Sequence, residues 1–308
     1  MLSFTQTHYS LHGLYNFLFD LTWRNQWYED IVELQSTFDD KQQRLFRSYQ
    51  HYYESIFGGF DEKVQSGVKA TVAQVLSPFN HPDLVDAFCT AHPDDACLED
   101  VLSGEIFLVD MPLSRWGLGG KVVYTLIKLR FFNIMQSRAT HTDWNQDRFV
   151  FLLCDEYQEI ISANKDGLSD LNFWDKSRSS KTIGIISTQS VSSVYAAVGG
   201  RDVANAVIQN FRQKVCFRTE DEMTIALLNK LLGNVEVERV TTTKTYGGSS
   251  GMTHSSSHSS ESTSKSIHEK PLLDGQFFRT LPGDQALVLL SLQGNGFDDV
   301  LEMKALFV

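Results

Sequence analysis

The sequence predicts an α/β fold, a mostly parallel sheet flanked by helices, with an all-helical segment ahead of it. Two short apolar runs, Arg148–Cys154 and Thr182–Thr188, are too greasy and too brief for amphipathic helices and read as buried parallel strands. Apolar residues recur at three- and four-residue steps over residues 1–75, which is the period of helices. Helical patterns also separate the apolar runs, as parallel strands require.

Composition narrows the class. A chain of 308 residues, 42% hydrophobic and 21% charged, has the make-up of a globular protein with a sizeable core. Its net charge of -11 argues against a surface basic throughout, so contact with DNA would need locally clustered Lys and Arg. No stretch approaches the roughly 20 apolar residues of a membrane helix, and the N-terminus lacks a signal-peptide layout, so the chain is expected to be cytoplasmic. Cys89, Cys97, Cys154 and Cys216 show no metal-binding spacing.

In the helical segment the apolar positions run through Leu11, Leu14, Tyr15, Leu18 and Leu21, then Ile31, Leu34 and Phe38, then Leu45, Tyr49, Tyr52, Tyr53, Ile56 and Phe57. Stripes of this kind face a core. After the Gly58-Gly59 break comes one more amphipathic helix, Glu62 to Val75, and Pro78 and Pro82 bracket the passage into a second domain, 76–308. Ile106–Met111 is expected as a first buried strand ended by Pro112, and Lys121–Ser137 as a long helix. A helical segment is expected at Tyr157–Asn164, strands at Lys214–Phe217, Val235–Thr243, Gln285–Ser291 and Val300–Val308, and a helix at Glu220–Leu232 ending on Gly233. Residues 246–266, rich in Ser and Gly, bury too little surface to order themselves and read as a flexible loop. His254, His258 and His268 lack acidic or Cys ligands at metal spacing and read as solvated loop side chains.

The chemistry concentrates where the first apolar run ends, in Asp155-Glu156. Open α/β sheets bind ligands at the carboxyl ends of their strands, and desolvating two carboxylates there is costly unless a cation, water or a phosphate-bound metal compensates. That is the physics of a Walker B element, in which Asp155 would hold Mg²⁺, directly or through water, and Glu156 would polarise the attacking water. The second run ends in Gln189, and Arg178 lies between the runs. A phosphate-binding P-loop needs GxxxxGK followed by Ser or Thr. Around Gly120-Lys121 the position of the first glycine is Arg115 and the hydroxyl position is Val122, and nothing else in the chain fits the pattern.

The order Asp155-Glu156, Arg178, Gln189 resembles the type IV secretion coupling proteins, the VirD4/TraD/TraG-like ring ATPases of conjugation. The phrases Leu102–Pro112 and Phe217–Gly233 are similar to that family too, so the resemblance spans roughly residues 76–308. It implies a RecA-like nucleotide-binding domain, incomplete here for want of a Walker A, with residues 1–75 resembling the family's all-helical insert. It further implies ATP and Mg²⁺ as cofactors, with Asp155 for Mg²⁺, Glu156 for water, Gln189 as γ-phosphate sensor and Arg178 acting from a neighbouring subunit. The partners implied are a homo-oligomeric, hexameric ring or a P-loop-bearing subunit, DNA or relaxosome proteins, and channel proteins at the inner face of the inner membrane. ATP hydrolysis is expected only where a Walker A comes from another chain or an upstream part. The alternatives are a non-catalytic module binding a partner ATPase or relaxosome protein, and a fragment of an FtsK/HerA-like DNA translocase.

Overall fold

A computed structural model describes residues 10–91, 95–251, 254–292 and 295–304. Contacts divide the chain into two compact units, 1–150 with 179–182, and 151–178 with 183–308. The sequence pattern had suggested a change near residue 75.

The first unit is helical. α1 (Leu11–Phe19), α2 (Leu21–Gln35), α3 (Asp40–His51) and α4 (Glu62–Leu76) each start on a side-chain cap, Ser10, Asp20, Asp39 and Asp61. Asp39 and Gln42 form a reciprocal capping box, satisfying two of the amide donors that a helix start leaves unpaired. Phe17, Trp27, Ile31 and Phe46 make one core cluster, with Tyr53 packed against it. Tyr49, Tyr52 and Ile56, expected on the same apolar stripe, are exposed. The chain leaves the α-helical period at Tyr52–Phe57, a π-helical segment, and the apolar face turns with it.

α5 (Pro82–Cys89) and α6 (Leu113–Ser137) build a second cluster from Phe79, Leu84, Met111 and Val123. The strand expected at Ile106–Met111 does not form. The segment lies in no sheet, and Ile106 and Leu108 are 93% and 84% exposed. Strand formation needs a paired neighbour as well as a pattern, and among the described residues this segment has none. The Gly-rich stretch before Lys121 is part of α6, where Gly117 departs from helical angles at φ 50. Arg138, buried at the end of this unit's long helix, donates to the carbonyls of Asn145, Arg148 and Ser180. It thereby gathers the approaches to both apolar runs, and burial pushes its guanidinium pKa down against the pull of Asp147.

The second unit carries the sheets. β1 (Val150–Cys154) and β2 (Thr182–Ile186) pair in parallel: the Val150 amide donates to the Lys181 carbonyl at one end and the Ser187 amide to the Cys154 carbonyl at the other. β3 (Lys214–Cys216), β6 (Gln285–Leu292) and β7 (Asn295–Glu302) form an antiparallel sheet in the order β3-β6-β7. β6 meets the expectation at Gln285–Ser291; β7 lies upstream of the expected Val300–Val308, whose last four residues fall outside the described ones. α10 (Glu222–Leu232) and α11 (Gly275–Thr280) cover this sheet through Ile225, Leu228, Phe278, Leu287 and Leu289.

β1 was expected to be covered on both faces, and it is covered on one. Phe151 and Leu153 are 52% and 69% exposed, and on β2 Ile185 is 52% exposed. On the covered side Gly184 sits where an added Cβ would lie 2.6 Å from Trp174 and 2.8 Å from Phe211. Gly184→Ala is therefore expected to destabilise the unit by about 1–3 kcal/mol through overpacking, measurable by urea denaturation.

Residues 246–266, expected as a loop, are drawn into a long hairpin. β4 (Asn234–Gly251) and β5 (His254–Pro271) pair antiparallel from Asn234↔Pro271 to Gly251↔His254. An antiparallel ladder needs only backbone donors and acceptors, so a polar composition that cannot make a core still permits it. Cross-strand pairs Lys244–Glu261 (3.4 Å) and Lys265–Glu238 (3.1 Å) flank it. The side chains of His254 and His258 lie outside the described residues, and His268 shares a hydrogen bond with Ser266.

Candidate functional site

Parallel pairing brings the carboxyl ends of β1 and β2 side by side, so Asp155 and Ser187 become neighbours. The Ser187 hydroxyl donates to Asp155 Oδ1, which also accepts the Glu156 amide at 2.9 Å. Both carboxylates are exposed. The sequence had suggested a buried or half-buried end; the open face of β1 leaves it in solvent.

Glu156 adopts φ 49 and ψ 44, the left-handed region that costs an L-residue with a side chain roughly 1–2 kcal/mol. Its Oε2 accepts from Gln158 Nε2, which aims the side chain back over the turn. The helix expected from Tyr157 to Asn164 is a single 3-10 turn, Tyr157–Glu159. Glu156→Gly should raise unfolding stability by about 0.5–1 kcal/mol, the relieved strain less glycine's entropy, while deleting the carboxylate. Thermal unfolding of the variant checks the sign.

What holds this turn is a network that sequence reasoning missed. Asp170, the first residue of the short helix α7 (Asp170–Phe173), is fully buried. Its Oδ1 accepts from the Tyr157 hydroxyl and from Trp174 Nε1 at 3.0 Å, and its Oδ2 from the Ser162 amide at 2.7 Å and hydroxyl at 3.0 Å. Tyr157 directly follows Glu156, and its amide donates to the Ser187 carbonyl at 2.8 Å. The network thus ties the acidic turn to the end of β2. A signal existed in the Asp-Leu-Asn-Phe-Trp run after a Ser, but an isolated Asp in a polar segment reads as solvated until its donors converge.

Gln189 lies exposed just past β2, ahead of Ser190, the N-cap of α8 (Val191–Val198). That helix start is clamped from α10: the Val191 amide donates to Thr224 Oγ1 at 3.0 Å, and Ser192 donates to Asp221. Burial raises the Asp221 pKa, but hydrogen bonds from Ser192 and Thr224 outweigh it and leave the carboxyl below its ordinary range. The clamp's contribution is therefore present above the ordinary Asp range and lost as pH falls below it.

The structure brings together Asp155, Glu156 and, on the adjoining strand end, Gln189. It does not bring Arg178 to them. Arg178 is exposed in the turn four residues before β2, at the amino end of a strand whose carboxyl end carries the other three. At about 3.3 Å per residue the strand separates the two groups by most of its length. Within one chain Arg178 does not complete the site.

Two parallel strands with an acid pair at their shared carboxyl rim, set among helices, are the arrangement of a RecA-like α/β fold. Residues 150–283 match the family described as the TraM recognition site of TraD and TraG. Among solved structures, the bacterial conjugative coupling protein TrwBdeltaN70 is similar with TM-score 0.50 and 18% identity over 82% of this chain and 52% of that one. The plasmid coupling protein TrwB in complex with ADP and Mg²⁺ is similar with TM-score 0.53 and 16% identity over 96% of this chain and 57% of that one. TrwB with a non-hydrolysable GTP analogue matches with TM-score 0.50 at 17% identity, over 82% of this chain and 52% of that one. No curated protein matches the sequence. The chain spans about half the length of the solved coupling proteins to which it is similar.

No group of three or more His, Cys, Asp or Glu converges among the described residues. Mg²⁺ with a nucleotide needs no such cage, because it keeps waters and takes one or two carboxylates plus phosphate oxygens. Asp155 has one oxygen engaged by Ser187 and the Glu156 amide, and its second oxygen accepts no hydrogen bond from the described residues. Asp155 therefore fits an outer-sphere Mg²⁺ role. No described helix is long and apolar enough to cross a membrane.

Proposed function

We propose that this chain forms the C-terminal part of a conjugative coupling ATPase, which recruits DNA or protein substrates and drives them toward a secretion channel. The observation that carries the reading is the joining of Asp155 and Glu156 to the Gln189 strand end through Ser187 and Tyr157. When bound, Mg²⁺-nucleotide would supply a phosphoanhydride bond to be split in line with an attacking water. Asp155 would hold the Mg²⁺, through water, with the oxygen that Ser187 and the Glu156 amide leave open. Glu156 accepts a proton from the attacking water, and Gln189 reports the γ-phosphate to α8. Arg178 serves the site of an adjacent copy in a ring. The phosphate-gripping P-loop comes from polypeptide other than these 308 residues. The partner fitting the matched family is a TraM-type relaxosome protein, contacting residues 150–283. The assembly works at the inner face of the membrane.

ATP turnover tests this directly. The chain should be inactive alone and active when mixed with a coupling-protein polypeptide that carries GxxxxGK[ST]. Glu156→Gln in the mixture is expected to lower turnover by about 10²-fold or more, with nucleotide binding retained. Turnover unchanged by that substitution would assign the water-activating role elsewhere.

A further inference from the structure

β4 and β5 make a sheet of their own, and among the described residues neither strand has a second neighbour. Each runs for 18 residues, which is about 60 Å at the rise of an extended strand. Of the hairpin's described side chains Ser266 is half-buried and the rest are exposed. One face is a ladder of hydroxyls, with Thr241, Thr243 and Thr245 opposite Ser264, Ser262 and Ser260. The other face alternates in charge through Glu238, Lys244, Glu261 and Lys265. Neither face offers a continuous apolar stripe to a core, and a two-stranded ribbon by itself is marginally stable in water. Its two outer edges are left open. Each carries alternate amides and carbonyls along its whole length, with no proline from 234 to 270 and no bulge in the register to blunt it.

We propose that the outer edge of β5 pairs antiparallel with the outer edge of β4 in a second copy of this chain, and that successive hairpins close into a barrel. A contact between unlike edges repeats from copy to copy until the ring closes. Hairpins that point the same way place β5 of one copy antiparallel to β4 of the next, the relation the two strands already have within the chain. Closure into a barrel needs a stagger at each seam, and a shift of two residues keeps every side chain on its own face. The charges select the direction of that shift. Within the hairpin Glu236 faces Glu269, and Lys265 meets Glu238 on the diagonal. With Val240 set opposite Thr263 at the seam, Glu236 faces Ile267, Glu269 faces Asn234, and Lys265 stands directly opposite Glu238, while Lys244 keeps Glu261 on the diagonal. The opposite shift would set Glu238 against Glu269. The pairing rests on the hairpin alone; only the identity of its ring with an ATPase ring rests on the proposed function.

Disulfide trapping on the full chain tests it, with Cys97→Ser removing the exposed native thiol. Chains with Thr241→Cys are mixed with chains with Ser262→Cys, positions that the shifted register sets opposite each other across the seam. Val240→Cys mixed with Thr263→Cys covers the neighbouring rung, because hydrogen-bonded and non-hydrogen-bonded pairs alternate. Within one chain these positions are diagonal, about 7–8 Å apart, too far to bridge. Both mixtures are oxidised without ATP, in the absence and presence of the polypeptide carrying GxxxxGK[ST]. At least one is expected to give tenfold or more cross-linked dimer than either single variant alone, and the matching double variant a ladder of products that ends on one closed species. Thr241→Cys with Ser264→Cys in one chain, opposite each other within the hairpin, should bridge internally and so report that the hairpin is formed. No excess of dimer in either mixture under both conditions, dimer formed equally by the single variants, a ladder without an end, or a missing internal bridge would each overturn the proposal. Cross-linking without ATP turnover would retain it and count against the nucleotide reading alone.

Discussion

Asp170→Ala should lower the stability of the second unit by about 2–4 kcal/mol, the cost of losing hydrogen bonds to a charged acceptor and leaving buried donors without it. The carboxylate has no solvent exposure and accepts from Tyr157, Trp174 and both donors of Ser162. Deleting it removes an acceptor from the buried Tyr157 hydroxyl, from Trp174 Nε1, which also donates to Tyr157 at 3.2 Å, and from half-buried Ser162, and each buried group left unsatisfied costs about 1–3 kcal/mol. Asp170→Asn should cost less, since an amide oxygen still accepts. Chemical denaturation separates the two variants. The same network has an alkaline limit. Burial foremost, then the Asp170 charge, raises the Tyr157 pKa well above its ordinary 10.0. The stabilisation is therefore complete below pH 10 and is lost as pH rises toward the folded value.

Arg178→Ala is expected to reduce ATP turnover of the assembled complex by about 10³-fold or more, the lower end of what a transition-state arginine supplies in trans. Its position at the amino end of β2 makes the geometry of the prediction specific. Glu156→Gln disables the site of the chain that carries it, whereas Arg178→Ala disables the neighbour's. Subunits with Arg178→Ala mixed with subunits with Glu156→Gln should regain activity at interfaces that combine an intact Glu156 with a neighbour's intact Arg178. Mixed assemblies no more active than either variant alone would return Arg178 to the role of a solvated turn residue.

Much of the architecture was legible in residue patterns. The runs Arg148–Cys154 and Thr182–Thr188 yield β1 and β2 because short β-branched and aromatic stretches between polar breaks have few other solutions. The place of Asp155, Glu156 and Gln189 at strand ends was legible for the same reason: strand ends in a parallel pair are placed by register, and register follows from the strands. Less legible were features that need a partner. Ile106 and Leu108 have a strand's pattern and no neighbouring strand, so they stand exposed. The polar stretch 246–266 has no core pattern, yet its backbone pairs with itself.

Local sequence therefore determined the helices of the first unit, the strands β1, β2 and β6, and which side chains stand at the carboxyl ends of β1 and β2. Only the tertiary structure decided that Asp170 is buried among its donors, that Arg178 lies at the other end of β2, and that the strand pair has one open face and, among the described residues, no third strand on either edge. The physical reason is one of range. Periodicity and strand ends are set by neighbours a few residues away, whereas burial, donor convergence and an unfilled edge depend on groups distant in sequence that share a volume only once the chain has folded.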